Sequence, residues 1–211
     1  MLAFHSNDAH ADAARFKANG IGAYPPFDWG RDAVERAGSV TQWSQAGRTV
    51  RFEFSLAFTA DPAMPGIAFF TCQQRHPPEL FWRPEYQRHP NGALRVVEVV
   101  MSASEPDAHR DFLESLTESP VEFTPTQLTV GANGNRITVL GPGEIARRLP
   151  GLATGGSPRF CAARLAVTDL DLTRRELERN AVDFRINDGV LLVASVAAHG
   201  LALEFVEQAA I

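Results

Sequence analysis

Lysine is nearly absent. Of the 20 basic residues in this 211-residue chain only Lys17 is lysine, and the rest are arginine. A Schiff-base enzyme needs a desolvated lysine in an apolar pocket, and a Walker loop needs lysine after glycine. Lys17 lies instead in Arg-Phe-Lys-Ala-Asn-Gly, which reads as a helix end. Lysine chemistry is therefore not expected. Cysteine is scarce too. Cys72 and Cys161 sit inside apolar runs, and two thiols make no disulfide framework. No apolar run approaches the roughly 20 residues of a membrane-spanning helix, and Met1 to Asp8 lacks the regions of a signal peptide. A cytoplasmic protein with no membrane partner is the expectation. The net charge of -5 leaves no basic surface for nucleic acid. His-Glu-x-x-His, Gly-x-Ser-x-Gly, Cys-x-x-Cys and Gly-x-Gly-x-x-Gly are all missing. What is plentiful is apolar residues, 45% of the chain, enough for a substantial core.

Three segments repeat one order of events: a short apolar strand, a polar turn, then a helix. In the first, Leu2 to Phe4 leads through Asn7-Asp8 to Ala9, Ala13 and Phe16 at helical spacing, stopped by Asn19-Gly20. In the second, Val96 to Met101 leads through a Ser104 cap and Pro106 to Ala108, Phe112 and Leu116. In the third, Cys161 to Val167 leads through Asp169 to Leu170, Thr173 and Leu177, stopped at Asn180. Asp8, Asn19 and Ile21 match Asp169, Asn180 and Val182 at one offset, which points to an internal repeat. After each helix the period changes to two. Val50 to Phe58, Ile67 to Gln74, Arg136 to Leu140, and a pair at Val190 to Ser195 and Leu201 to Val206 read as strands.

Candidate polar groups concentrate in two places. The non-periodic, proline-rich stretch from Arg75 to Gly92 reads as a loop. In and beside it stand His76, Glu79 and His89 as acid/base candidates, and Gln73, Gln74, Trp82 and Asn91 as ligand-binding candidates. Pro77-Pro78 argues against His76 and Glu79 sharing a helical face as metal ligands. On the strands, alternation points Arg51, Glu53, Glu98 and Arg164 to the face away from the apolar set, expected to be concave. A Glu98–Arg164 ion pair is the structural alternative to a functional Glu98.

The βαβββ repeat, the Asp-Leu-Asp-Leu start of the third helix and the closing Gly200-Leu-Ala-Leu-Glu204-Phe resemble the vicinal oxygen chelate superfamily. The run from Phe69 to Ala93, Phe-Phe-Thr-Cys-Gln-Gln-Arg-His-Pro-Pro-Glu-Leu-Phe-Trp-Arg-Pro-Glu-Tyr-Gln-Arg-His-Pro-Asn-Gly-Ala, is similar to its glyoxalase-like members. The resemblance implies an α+β fold of βαβββ modules paired into cup-shaped sheets, with helices on the convex face. A first module with its connecting loop would span residues 1–93, and paired modules 94–148 and 158–211. It implies small-molecule binding in the cup, with lyase, isomerase or dioxygenase activity around a divalent ion (Zn, Ni, Fe or Mn). The alternatives are a resistance-type binder or an inactive relative, each without metal. The ligand positions carry over to Met1, Glu98 and Ala162 on first strands, and to Phe70, Thr138 and Glu204 on last strands. Only Glu98 and Glu204 can ligate, fewer than a closed metal shell requires. With the second and third modules paired, the first is left without an internal partner, which suggests either a homodimer or a form lacking an upstream module.

Overall fold

The acidic turns start helices for a local reason. The Asp8 carboxylate accepts from the backbone N–H of Ala11, and that of Asp169 from Asp171 and Leu172, satisfying amides a helix leaves bare at its start. The computed structural model describes residues 1–22, 24–35, 48–82 and 84–208, and the chain divides into two units, Met1–Tyr86 and Gln87–Ile211.

The first unit holds β1 (Leu2–His5), α1 (Ala9–Ala18), β2 (Phe27–Glu35), β3 (Arg48–Thr59) and β4 (Phe69–Gln74). Its sheet runs in the order β1-β4-β3-β2, with β1 parallel to β4 and the other pairs antiparallel. Strand β2 was not expected, because Asp28, Gly30 and Asp32 weaken its pattern. Nine register pairs with the strongly patterned β3 hold it in place. Helix α1 packs on the small residues of β3. Ala9, Phe16, Ser55, Ala57 and Thr59 are all buried, and the Thr59 hydroxyl donates to the Ile21 carbonyl just past the helix. By alternation, Val50, Phe52, Phe54, Leu56 and Phe58 face the opposite side.

This corrects one expectation. Arg51 and Glu53 share the α1 side of the sheet with Ser55, so they do not line its open face. They pair with each other at 3.0 Å, and Arg51 pairs with Asp32 at 3.2 Å, beyond the reach of the short helix. A helix approaches most closely over small side chains, and this sheet therefore turns its aromatic face away from α1.

The second unit is one eight-stranded sheet, ordered β10-β11-β12-β9-β5-β8-β7-β6. Its strands are β5 (Ala93–Ser102), β6 (Val121–Thr124), β7 (Gln127–Ala132), β8 (Asn135–Leu140), β9 (Arg159–Val167), β10 (Arg185–Asn187), β11 (Val190–Val193) and β12 (Ala202–Glu207). The first strands of two modules, β5 and β9, meet antiparallel at its centre, and each is flanked by its own module's last strand in parallel. Each half repeats the order of the first unit. Helix α2 (Arg110–Thr117) buries Phe112, Leu113 and Leu116 on the β7 side, and α4 (Leu170–Arg179) sets Leu170 and Leu177 against Leu191, Val193 and Phe205. The expected connecting loop is divided. Asn91 and Gly92 belong to the second unit, where the Asn91 carbonyl accepts from the Thr173 hydroxyl and the Gly92 carbonyl from the Thr168 amide.

The connection between these modules carries a helix of its own. Its helix α3 (Pro142–Arg148) lies on the face opposite α2 and α4. Ile145 and Leu149 are buried there with Val100, Leu140, Ala162 and Ala202. Burial stabilises by roughly 1.5–3 kcal/mol per such side chain, so α3 is a firmly seated filling of one part of the concave face.

Candidate ligand-binding site

Glu98 and Glu204 are both brought to the concave face of the second sheet, as β5 and β12 alternation requires, and each is only 2% exposed. Their partner is a residue that strand reasoning did not find. The Arg148 guanidinium, at the end of α3, gives Nη1 to Glu98 Oε1 at 2.9 Å and Nη2 to Glu98 Oε2 at 2.8 Å. It also gives Nε to Glu204 Oε1 at 2.9 Å and Nη2 to Glu204 Oε2 at 2.6 Å. Arg164 adds Nε to Glu204 at 2.9 Å, and Thr138 donates to Glu98 at 2.6 Å. The Glu98–Arg164 contact expected from alternation is the longer one, 3.4 Å. Burial pushes the Glu98 carboxyl upward, but the hydrogen bonds from Arg148 and Thr138 outweigh it and hold the pKa down to about 2. Glu204 is lowered by the same balance, with Arg148 and Arg164 as donors.

These residues do not fit a metal ion. Both carboxylates are already saturated by a fixed cation. Among the described residues, no three His, Cys, Asp or Glu stand together as a ligand set. Protein purified without chelator should therefore retain well under one divalent ion per chain. Zn, Mn, Ni or Fe(II) should leave the thermal midpoint unmoved, and stoichiometric metal would contradict this.

The first unit offers different chemistry. Its open face carries Trp29, Phe52, Phe54, Phe58 and Phe70, with Phe54 against Trp29 at 5.6 Å and Phe58 against Phe70 at 5.3 Å between ring centroids. Trp29 is 43% exposed, so part of this apolar face meets solvent. The guanidinium of Arg31 lies 5.8 Å from the Trp29 ring and 6.0 Å from that of Phe52, within cation–π range.

His76 is set at the edge of this face, 6% exposed, with Phe52 at 5.0 Å, Phe54 at 4.8 Å and Phe81 at 6.1 Å. Its Nδ1 is 3.0 Å from the Glu53 carbonyl and 3.3 Å from the Glu53 amide. The amide only donates and the carbonyl only accepts, so the ring tautomer decides which contact Nδ1 makes; with the proton on Nδ1, Nε2 is an acceptor. That Nε2 is buried and has no hydrogen-bond partner among the described residues. Trp82 donates from Nε1 to Gln74 Oε1 at 3.0 Å on the same face.

The remaining candidates have structural work. Gln73 faces α1, where its amide donates to the Asn7 carbonyl at 2.6 Å and accepts from the Ala9 amide at 3.3 Å. Glu79 is exposed on the 3-10 turn Pro78–Leu80. In the second unit His89 Nδ1 is 2.6 Å from Asn91 Oδ1, which also accepts from the Ala93 amide and so shapes the turn into β5. Cys161 is buried, its thiol pushed up to about 12 by desolvation and donating to the Val100 carbonyl. Burial raises both thiols, that of Cys161 against the opposing charges of Arg148 and Arg159, so neither is activated as a nucleophile.

The model of the glyoxalase-like domain family matches residues 1–117, more than half of the chain. The protein belongs to the glyoxalase-like family. No curated protein matches it. Among solved structures it is similar to a hypothetical protein from Staphylococcus aureus, with TM-score 0.60 and 8% identity. That likeness covers 97% of this chain and 64% of the other, so this chain spans under two thirds of that protein's length. It is also similar to a triple mutant of 4-hydroxymandelate synthase from Streptomyces coelicolor, with TM-score 0.58 and 15% identity over 98% of this chain and 70% of that one. These likenesses show the α+β fold. In this glyoxalase-like protein no described helix is long and apolar enough to cross a membrane.

Proposed function

We propose that this protein is a metal-independent small-molecule binder whose ligand lies on the open aromatic face of the first sheet. One observation carries the reading: the buried Nε2 of His76, without a partner among the described residues, beside the half-buried Phe54 and exposed Phe81 rings. With the proton on Nδ1, Nε2 is a buried acceptor without a partner, which costs about 1–3 kcal/mol, and a ligand hydroxyl or N–H would relieve that cost. The ring faces of Trp29 and Phe54 favour a planar aromatic body, and Gln74 and Trp82 supply polar groups at its rim. Phe81, 52% exposed and just past the Pro78–Leu80 turn, is the side chain that would swing aside for entry. On this reading the Glu98–Arg148–Glu204 cluster is a structural ion network, and the lyase, isomerase or dioxygenase chemistry of metal-bearing relatives is not proposed.

The test is calorimetric titration of the full chain with 2-naphthol and with 2-methoxynaphthalene, which lacks the O–H donor. The reading expects saturable 2-naphthol binding, at least tenfold tighter than the methoxy compound. Equal affinities or no binding would overturn it. A second copy docked on the same face is the competing reading, favoured by β1 standing at the edge of its sheet. Sedimentation separates the two. A monomer at high micromolar concentration supports the binder, whereas a dimer that excludes 2-naphthol supports the homodimer.

A further inference from the structure

The ion network of the second unit contains one more cation than anion. Arg136, Arg148 and Arg164 surround Glu98 and Glu204. Arg148 spends Nε, Nη1 and Nη2 on the two carboxylates. The other two arginines are not so occupied. Arg164 is committed through Nε, and its terminal nitrogens have no hydrogen-bond partner among the described residues. Arg136 reaches Glu98 only at 3.4 Å through Nη2, and its side chain is 49% exposed.

Topology sets these two guanidiniums on either side of one floor. Arg136 on β8 and Arg164 on β9 are both register partners of Glu98 on the intervening β5. Their Cα atoms are thus two strand spacings apart, about 10 Å, a gap that two long side chains can close over one small anion. Helix α3 fills the face around Val100 and Ala162, on the other side of Glu98 along the strand. Toward the start of β5, a bulge between Val96 and Glu98 turns Val96 to the Leu165 side, and Arg95, register partner of Ala166, continues the Arg164 face.

We propose that this part of the second unit is an organic-anion site, in which Arg136 and Arg164 clamp a carboxylate. A planar fork on each side suits a carboxylate, which accepts charge-assisted hydrogen bonds from both. Glu98 does not repel such a ligand, because Arg148 and Thr138 already neutralise and occupy it. The anion would take up the surplus positive charge. The proposal does not rest on the first-sheet reading, since the residues belong to a different unit.

The test is calorimetric titration of the whole chain with hexanoate at low ionic strength, with hexanol as the uncharged control. Saturable hexanoate binding is expected, with hexanol at least tenfold weaker. Arg136→Met and Arg164→Met should each weaken hexanoate at least tenfold, and Arg164→Lys should fall between wild type and Arg164→Met. His76→Phe should leave hexanoate affinity within twofold. Absence of saturation, or affinities unchanged in both methionine variants, would overturn the site. A loss in Arg164→Met alone would also overturn it, because that pattern marks a damaged Glu204 pairing rather than a clamp. Arg136, half exposed and held by one long contact, can be removed without unfolding the sheet.

Discussion

Arg148→Met should cost about 3–5 kcal/mol of stability at neutral pH, the usual penalty for stranding buried charge. That is a large share of the roughly 5–15 kcal/mol that holds a domain together. The substitution keeps most of the apolar stem of α3 while removing every strong donor that Glu98 has except Thr138. Glu204 retains Arg164, so Glu98→Gln in the Arg148→Met background should recover roughly half of the loss. The pH dependence gives a second signature. In the wild type the Glu98 pKa is held at about 2 against an ordinary 4.5. Its contribution is complete above pH 4.5 and is lost as pH falls toward 2. In Arg148→Met, burial opposed only by Thr138 and the 3.4 Å contacts of Arg136 and Arg164 raises the carboxyl above its ordinary value, so acidification first relieves strain. Wild-type stability should therefore fall across pH 4.5 to 2, whereas that of the variant should rise as pH drops from 7 to about 5. Urea unfolding followed by far-ultraviolet circular dichroism measures this. The three tryptophans, Trp29, Trp43 and Trp82, all precede the second unit, so their fluorescence serves as a report on the first. Parallel pH profiles for wild type and variant would contradict the network.

His76→Phe should separate stability from binding. Phenylalanine reproduces the edge contacts with Phe52 and Phe54, and it removes the buried ring nitrogen that lacks a partner among the described residues. The Nδ1 bond to Glu53, worth about 1 kcal/mol, is lost in exchange. The fold should therefore be as stable as the wild type or about 1 kcal/mol more so, while 2-naphthol binds at least tenfold more weakly. A functional group whose removal costs no stability is the pattern expected of a residue held for a ligand. Loss of stability with unchanged binding would assign His76 to the core alone.

The parts of this account that were legible in the sequence are those with local causes. Asp8 and Asp169 cap their helices through backbone amides two or three residues away, and the shared offset of their turns exposed the module repeat. Period-two alternation correctly grouped Arg51 with Glu53 and Ser55. It could not say which face a helix covers, because that depends on how closely α1 packs over Ala57 and Thr59. Arg148 was invisible for another reason. It meets Glu98 and Glu204 across 50 and 56 residues, and no spacing rule connects a helix end to strands that far away. An arginine in the last turn of a short helix between two modules was the only hint. His76 was found as a candidate from composition, but its burial among three aromatic rings depends on how the Pro77–Phe81 turn folds back.

The claim at the centre is that the open face of the first sheet takes a planar ligand through His76 and the surrounding rings. It is tested most directly by the indole N–H resonances of the three tryptophans in a 15N-labelled full chain titrated with 2-naphthol. Trp29 and Trp82 should shift together with one saturation constant in the wild type and remain still in His76→Phe. Unmoved resonances at saturating 2-naphthol, or shifts of equal size in His76→Phe, would contradict it.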